Sequence, residues 1–302
     1  MSYISPTERR ERFRAILAGD QCVFPAPVFD PISARIAEDL GFELGFLSGP
    51  GAQRTVLGAP NHHVVVLTLS ELAEQARRIC RASNISLLVS AENGYGNSLN
   101  VMRTVEELEN AGVSALTIED TALPMCFGNA RGVGVAQSLG EESLISLEEG
   151  VGKMKAALAA RQDPSLVILA RTKALNIEGI PEAIRRIKAY ERTGVDGIFL
   201  AWAKTREEVA AIHAETRLPL ILGRAGEDLA DKRLLAANGV RIALQGHHLG
   251  FWASVKAVYD TLKALRDGAS PADLRPTLAS PELLAQVTRQ SQYNEWIKDF
   301  LH

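Results

Sequence analysis

Cysteine is scarce in this chain: three residues in 302, at positions 22, 80 and 126. An odd, sparse set without regular spacing excludes a disulfide framework and a structural zinc site, and it suits a reducing cytoplasm. Excess charge of one sign is missing too. Thirty-three Lys and Arg stand against 36 Asp and Glu, a formal net charge of −3. No Lys/Arg run stands out, so nucleic acid is not an expected partner. No apolar run approaches the roughly 18 residues of a membrane span. Residues 1–14 are polar and charged, unlike a signal peptide, so no membrane association is expected. No linker rich in Gly, Pro or Ser interrupts the chain. It therefore reads as one domain, 1–302, with a C-terminal helical extension over 270–302.

What is present is a rhythm. With 46% hydrophobic residues the chain can bury a large core. A short apolar run followed by an amphipathic one recurs about eight times. The strand candidates are 22–30, 44–48, 86–91, 114–120, 165–172, 197–202, 218–223 and 241–246. Runs such as Leu166-Val-Ile-Leu-Ala170 are continuous rather than alternating, as in parallel strands covered on both faces. A doubly wound open sheet has the same local signature; the count of eight favours a closed (β/α)8 barrel. Polar or ionisable residues sit at the strand ends: Asp30, Ser48, Glu92, Glu119, Asp120, Arg171, Lys173 and His247. Such a barrel gathers those ends at one mouth. Helices are expected over 7–18, 32–40, 70–82 and 99–111, with a longer loop over 52–68. Ser270-Pro271 and Ser280-Pro281 start two short terminal helices. The longest irregular stretch, 123–144, has the length of a functional lid.

Each candidate residue has two readings. Glu92, Glu119 and Asp120 have the oxygen donors that Mg²⁺ takes, or they cap helices and pair with basic residues at the rim. Arg171 can grip a carboxylate in bidentate fashion, or form a buried structural ion pair. His247 and His248 follow strand eight, where one could bind substrate or both be structural. Ser48-Gly49-Pro50-Gly51 is an anion-binding loop or simply a turn, and Pro50 has no N–H to offer. Cys126, in the lid, is a nucleophile only with a partner that the nearby sequence does not supply. Lys173 could form a Schiff base if its pKa were lowered, or be a salt-bridged lysine.

Several segments together resemble the isocitrate lyase / phosphoenolpyruvate mutase superfamily, its oxaloacetate decarboxylase branch in particular. They are Val28-Phe29-Asp30-Pro31, Asp39-Leu40-Gly41-Phe42-Glu43, Asn93-Gly94-Tyr95-Gly96-Asn97, Asn100-Val101-Met102-Arg103-Thr104-Val105, Ala115-Leu116-Thr117-Ile118-Glu119-Asp120-Thr121 and Ala170-Arg171-Thr172. The likeness spans nearly the whole chain. It implies a (β/α)8 barrel with extra terminal helices, the last one often swapped between subunits of a homotetramer. It implies a small α-keto acid substrate and Mg²⁺, with Mn²⁺ as a substitute, stabilising an enolate as a Lewis acid. Carried over by position, Ser48, Gly49, Pro50, Arg171 and His247 fall on the substrate site. Ser90, Glu92 and Glu119 fall on the metal cluster.

This chain departs from the pattern at that cluster. The family segment reads Asp-x-Asp-x-Gly-Tyr-Gly, whereas Ser90-Ala91-Glu92-Asn93-Gly94-Tyr95-Gly96 stands here. Serine is neutral, so one negative charge is lost. Pro50 replaces a residue that is usually Ser, and Lys173 occupies a place where His or an acid is expected. In the lid, Phe127 rather than Cys126 aligns with the lyase cysteine, which disfavours isocitrate-type lyase activity. Three expectations follow. The first is a Mg²⁺-dependent carbon–carbon lyase that decarboxylates oxaloacetate. The second is a related lyase or hydrolase with a changed substrate, or with metal-free chemistry on Lys173. The third is an impaired binding protein of the same fold.

Overall fold

The computed structural model describes residues 4–60, 65–122, 143–223 and 227–301. The lid expected over 123–144 falls almost wholly outside them, as does Cys126. Eight parallel strands follow in chain order: β1 (Ala26–Pro27), β2 (Leu44–Leu47), β3 (Ser86–Ser90), β4 (Ala115–Glu119), β5 (Val167–Thr172), β6 (Gly197–Leu200), β7 (Leu220–Leu222) and β8 (Val240–Ala243). Each pairs with the next. A parallel bridge between Val23 and Ile242 joins the chain before β1 to β8 and closes the barrel. The expected strand over 22–30 is thus shorter than its apolar run. Pro25 and Pro27 carry no N–H, so the ladder there is reduced to Val23 and two residues of β1.

Side chains of the strands alternate between two cores. Leu44, Phe46, Leu88, Val167, Leu169, Phe199, Ile221 and Ile242 fill the barrel interior, and Phe13 and Leu17 close its floor. The opposite faces pack under the surrounding helices. Those helices, among the described residues, are α1 (Pro6–Ala18), α2 (Pro31–Asp39), α3 (Gly49–Leu57), α4 (Leu69–Ala82), α5 (Ser98–Asn110), α6 (Leu147–Ala160), α7 (Ala174–Ile177), α8 (Ile180–Glu191), α9 (Arg206–His213), α10 (Lys232–Ala237), α11 (Leu249–Arg266), α12 (Pro271–Leu274), α13 (Pro281–Thr288) and α14 (Gln290–Phe300).

Four local expectations change. The loop expected over 52–68 begins instead as α3, because the Ser48 hydroxyl caps it by accepting from the Gly51 N–H and Pro50 fits its first turn. Asp30 is the N-cap of α2, in a reciprocal capping box with Ser33, and so has a structural task. The helix expected over 7–18 starts one residue earlier, at Pro6, with Ser5 as its N-cap, and a third terminal helix, α14, follows the two expected.

Candidate active site

Glu119 and Arg171 lie side by side because β4 and β5 are in register at that pair. Arg171 Nη2 reaches Glu119 Oε2 at 2.6 Å, and Lys173 Nζ reaches the other oxygen, Oε1, at 3.1 Å. The Thr121 hydroxyl donates to Oε1 as well, at 2.9 Å. Burial acts to raise the Glu119 carboxyl, but Arg171 and Lys173 outweigh it and hold its pKa below the usual value. From β3, Ser90 accepts a hydrogen bond from Arg171 Nη1 at 3.0 Å. The guanidinium lies over the Phe199 ring, 5.2 Å from its centroid, and Nε is a buried donor with no partner among the described residues. A planar cation pinned by a carboxylate, a hydroxyl and a ring is preorganised for an anion at the mouth.

Glu92 follows β3 in the left-handed region, with φ 49°, a conformation that costs an ordinary side chain about 1 kcal/mol or more. The strain is held by the Glu119 N–H, which donates to the Glu92 carbonyl at 2.7 Å. The turn brings the Glu92 carboxyl onto the first residue of α3. A Cβ on Gly49 would lie 1.4 Å from Glu92 Oε1, so only glycine admits this approach. An acid at a helix N-terminus is favourably placed. Burial nevertheless pushes the Glu92 carboxyl up to about 7; Arg171 and Lys173 pull it down and Glu119 pushes it further up. Behind this turn, buried Lys153 donates to the Asn93 carbonyl at 3.1 Å.

Asp120 does not join these acids. Neighbouring residues on a strand point to opposite faces, and its carboxyl turns outward beneath the helices. It accepts from Thr172 at 2.7 Å, Tyr190 at 2.9 Å and Arg186 at 3.3 Å, and from the Lys173 N–H at 3.2 Å. This buried network anchors the backbone that carries Lys173. The structure therefore brings together Ser90, Glu92, Glu119, Arg171, Lys173 and Gly49. It leaves Asp120 as support. The Ser48 hydroxyl is committed to capping. His247 packs edge-on to Phe46, 6.2 Å between centroids, and Phe46 in turn faces Phe199 under Arg171. His248 lies between His247 and Trp252. Thr121, Phe199 and Lys153 escaped the residue-level reading. Thr121 alone had a signal, as a hydroxyl two positions past Glu119 and so on the same strand face.

The family of phosphoenolpyruvate phosphomutase matches residues 13–266. The chain belongs to this family. Its relatives include oxaloacetate decarboxylases from Bradyrhizobium sp. (strain ORS 278), 51% identical over 97% of both chains, and from Bradyrhizobium diazoefficiens, 53% identical over 94% of both. Among solved structures, a phosphonopyruvate hydrolase in complex with oxalate and Mg²⁺ is 27% identical, with a TM-score of 0.81 over 97% of this chain and 99% of that one. A phosphoenolpyruvate phosphomutase from Streptomyces platensis subsp. rosaceus is 26% identical, again with a TM-score of 0.81, over 97% and 99% of the two chains. The expected superfamily and barrel are thereby established for this family member.

Proposed function

We propose that this protein is a carbon–carbon lyase that decarboxylates oxaloacetate to pyruvate and CO₂. The observation that carries the reading is full-length identity of about half to oxaloacetate decarboxylases, together with Arg171 held at the mouth on Glu119 and Ser90. In this reading Arg171 grips the substrate carboxylate next to the keto group, with His247 and the Gly49 N–H as further contacts. Ser48 and Pro50 shape that loop. The bond from C3 to the distal carboxylate breaks, its electron pair moves to the keto oxygen as an enolate, CO₂ leaves, and C3 takes up a proton. Charge on the enolate oxygen must be met by donors already in place.

Mg²⁺ or Mn²⁺ is the group the resemblance implies, and Ser90, Glu92 and Glu119 are its expected ligands. The donors as arranged do not fit it. Both Glu119 oxygens carry a cation, Ser90 Oγ is engaged by Arg171, and Asp120 faces away. Among the described residues no group of three or more His, Cys, Asp or Glu could hold a metal. Glu92 alone is left as an anionic ligand.

Pyruvate release from oxaloacetate by the purified chain is the test. Turnover is expected above the protein-free rate, with Arg171→Met lowering kcat/KM on the order of a hundredfold or more. Consumption no faster than in buffer would overturn the assignment. The apolar outer face of α11 and the tail helices supports contact with further copies of the chain, the resemblance implying a homotetramer with exchanged terminal helices. Buried free thiols at Cys22 and Cys80 suit the cytoplasm. No helix among the described residues is long and apolar enough to cross a membrane.

A further inference from the structure

We propose that the Lys173 ammonium takes the place of a divalent cation at this site, so that α-keto acids and their enolate mimics bind without metal. The inference rests on the α-keto acid reading above and specifies how that site handles charge. Three observations carry it. The ammonium lies 3.1 Å from Glu119 Oε1 with its side chain only 12% exposed, a fixed positive charge inside the mouth. Its backbone is pinned, since the Lys173 N–H donates to Asp120, itself buried among Thr172, Tyr190 and Arg186. The oxygens that would have to release their partners for a metal are those of Glu119 and Ser90, each already bonded to a cation.

A dication entering here would sit within a few ångströms of both Arg171 and Lys173. At such distances each like-charge pair is strongly repulsive even at the effective dielectric of a protein interior. An anion is drawn by two cations whose charge Glu119 offsets only in part. Arg171 and Lys173 flank Glu119 on its two oxygens, and a dicarbonyl ligand can lie against both cations at once. The ammonium supplies three N–H donors on a compact charge, which suits an oxygen that becomes anionic as the bond breaks. No bond to the substrate forms in this scheme. The electron pair from the broken C–C bond rests on the enolate oxygen under the ammonium until C3 is protonated.

Calorimetric titration of oxalate, an enolpyruvate mimic, into the full-length protein tests this, once in EDTA and once in excess Mg²⁺. Oxalate affinity is expected to agree within about twofold between the two buffers. Lys173→Met should weaken it at least tenfold, and Lys173→Arg, which keeps the charge, should restore most of it. Binding that appears only with Mg²⁺, or that Lys173→Met leaves unchanged, overturns the proposal. So does a borohydride-trapped adduct on Lys173 after incubation with oxaloacetate, since it would replace the ammonium by an imine. Oxaloacetate turnover in the same two buffers separates the failures. Metal-free oxalate binding without turnover in either buffer keeps the Lys173 proposal and overturns the decarboxylase reading. Turnover that requires Mg²⁺ keeps the decarboxylase and overturns Lys173.

Discussion

Glu92 holds a costly position twice over. Its backbone is left-handed without being glycine, and its carboxyl is desolvated against Gly49. Such strain at a barrel mouth marks a site that function, not stability, has shaped. The pKa shift makes the cost measurable. Burial raises the folded value from 4.5 to about 7. A carboxyl with a raised folded pKa favours folding fully only below its unfolded value, and that contribution disappears as pH rises through 7. Glu92→Gln keeps the shape and the φ while removing the charge. It should therefore stabilise the protein by about 1–3 kcal/mol at pH 8, seen as a higher Tm, and give no gain at pH 4. An equal gain at both pH values would contradict a charge-burial origin. At this scale the sequence was partly legible. Arg171, Glu119 and Lys173 could be placed at one mouth from their strand ends, and the one-residue difference between Glu119 and Asp120 follows from strand alternation. The approach of Glu92 to Gly49 could not be read, because it depends on a turn that only the folded chain displays.

Among elements, α1 shows how the floor of the barrel is locked. Its Arg10 pairs with Asp163 at 2.6 Å and donates to the carbonyls of Glu109 and Val113. Thr7 donates to the same carboxyl at 2.8 Å. Burial alone would raise Asp163, but Ser165, Arg10 and Thr7 outweigh it and hold it well below the usual carboxylate range. A depressed folded pKa gives stability that is present above the unfolded value of 3.8 and lost as pH falls below it. Asp163→Asn should cost about 1–3 kcal/mol at neutral pH and flatten the acid limb of the stability curve, measured by urea unfolding between pH 3 and 7. An unchanged acid limb would exclude Asp163 as its source. The sequence revealed α1 through its helical spacing but not this anchor, whose partners lie about 100 to 150 positions away. In the same way α3 was hidden: Gly and Pro at 49–51 read as a break until Ser48 is seen capping a first turn that tolerates both.

At the scale of the whole molecule, the barrel was legible because continuous apolar strands repeat eight times and every repeat must be covered by a helix. The tail was legible as helices starting at Ser270-Pro271 and Ser280-Pro281, but what its apolar faces pack against was not, because α11 buries no residue in the chain's own core. Leu249, Trp252, Val255, Val258, Tyr259 and Leu262 recur at three- and four-residue intervals along α11, all more than half exposed, and α11 buries no residue in this chain. On the proposed assembly that stripe is covered by another copy. If the chain assembles as the proposed homotetramer, Trp252→Glu shifts its mass in solution to smaller species, read by light scattering, while a mass of one chain for the unaltered protein would contradict the assembly.

Site and fold meet in the proposed role of the mouth formed by Arg171, Glu119 and Lys173, an oxaloacetate-decarboxylating centre that holds its own positive charge. Oxaloacetate consumption by the full-length protein in EDTA, set against protein-free buffer, tests it most directly. The expected result is turnover well above the spontaneous rate, unchanged when Mg²⁺ is restored. A rate equal to buffer in EDTA would contradict it.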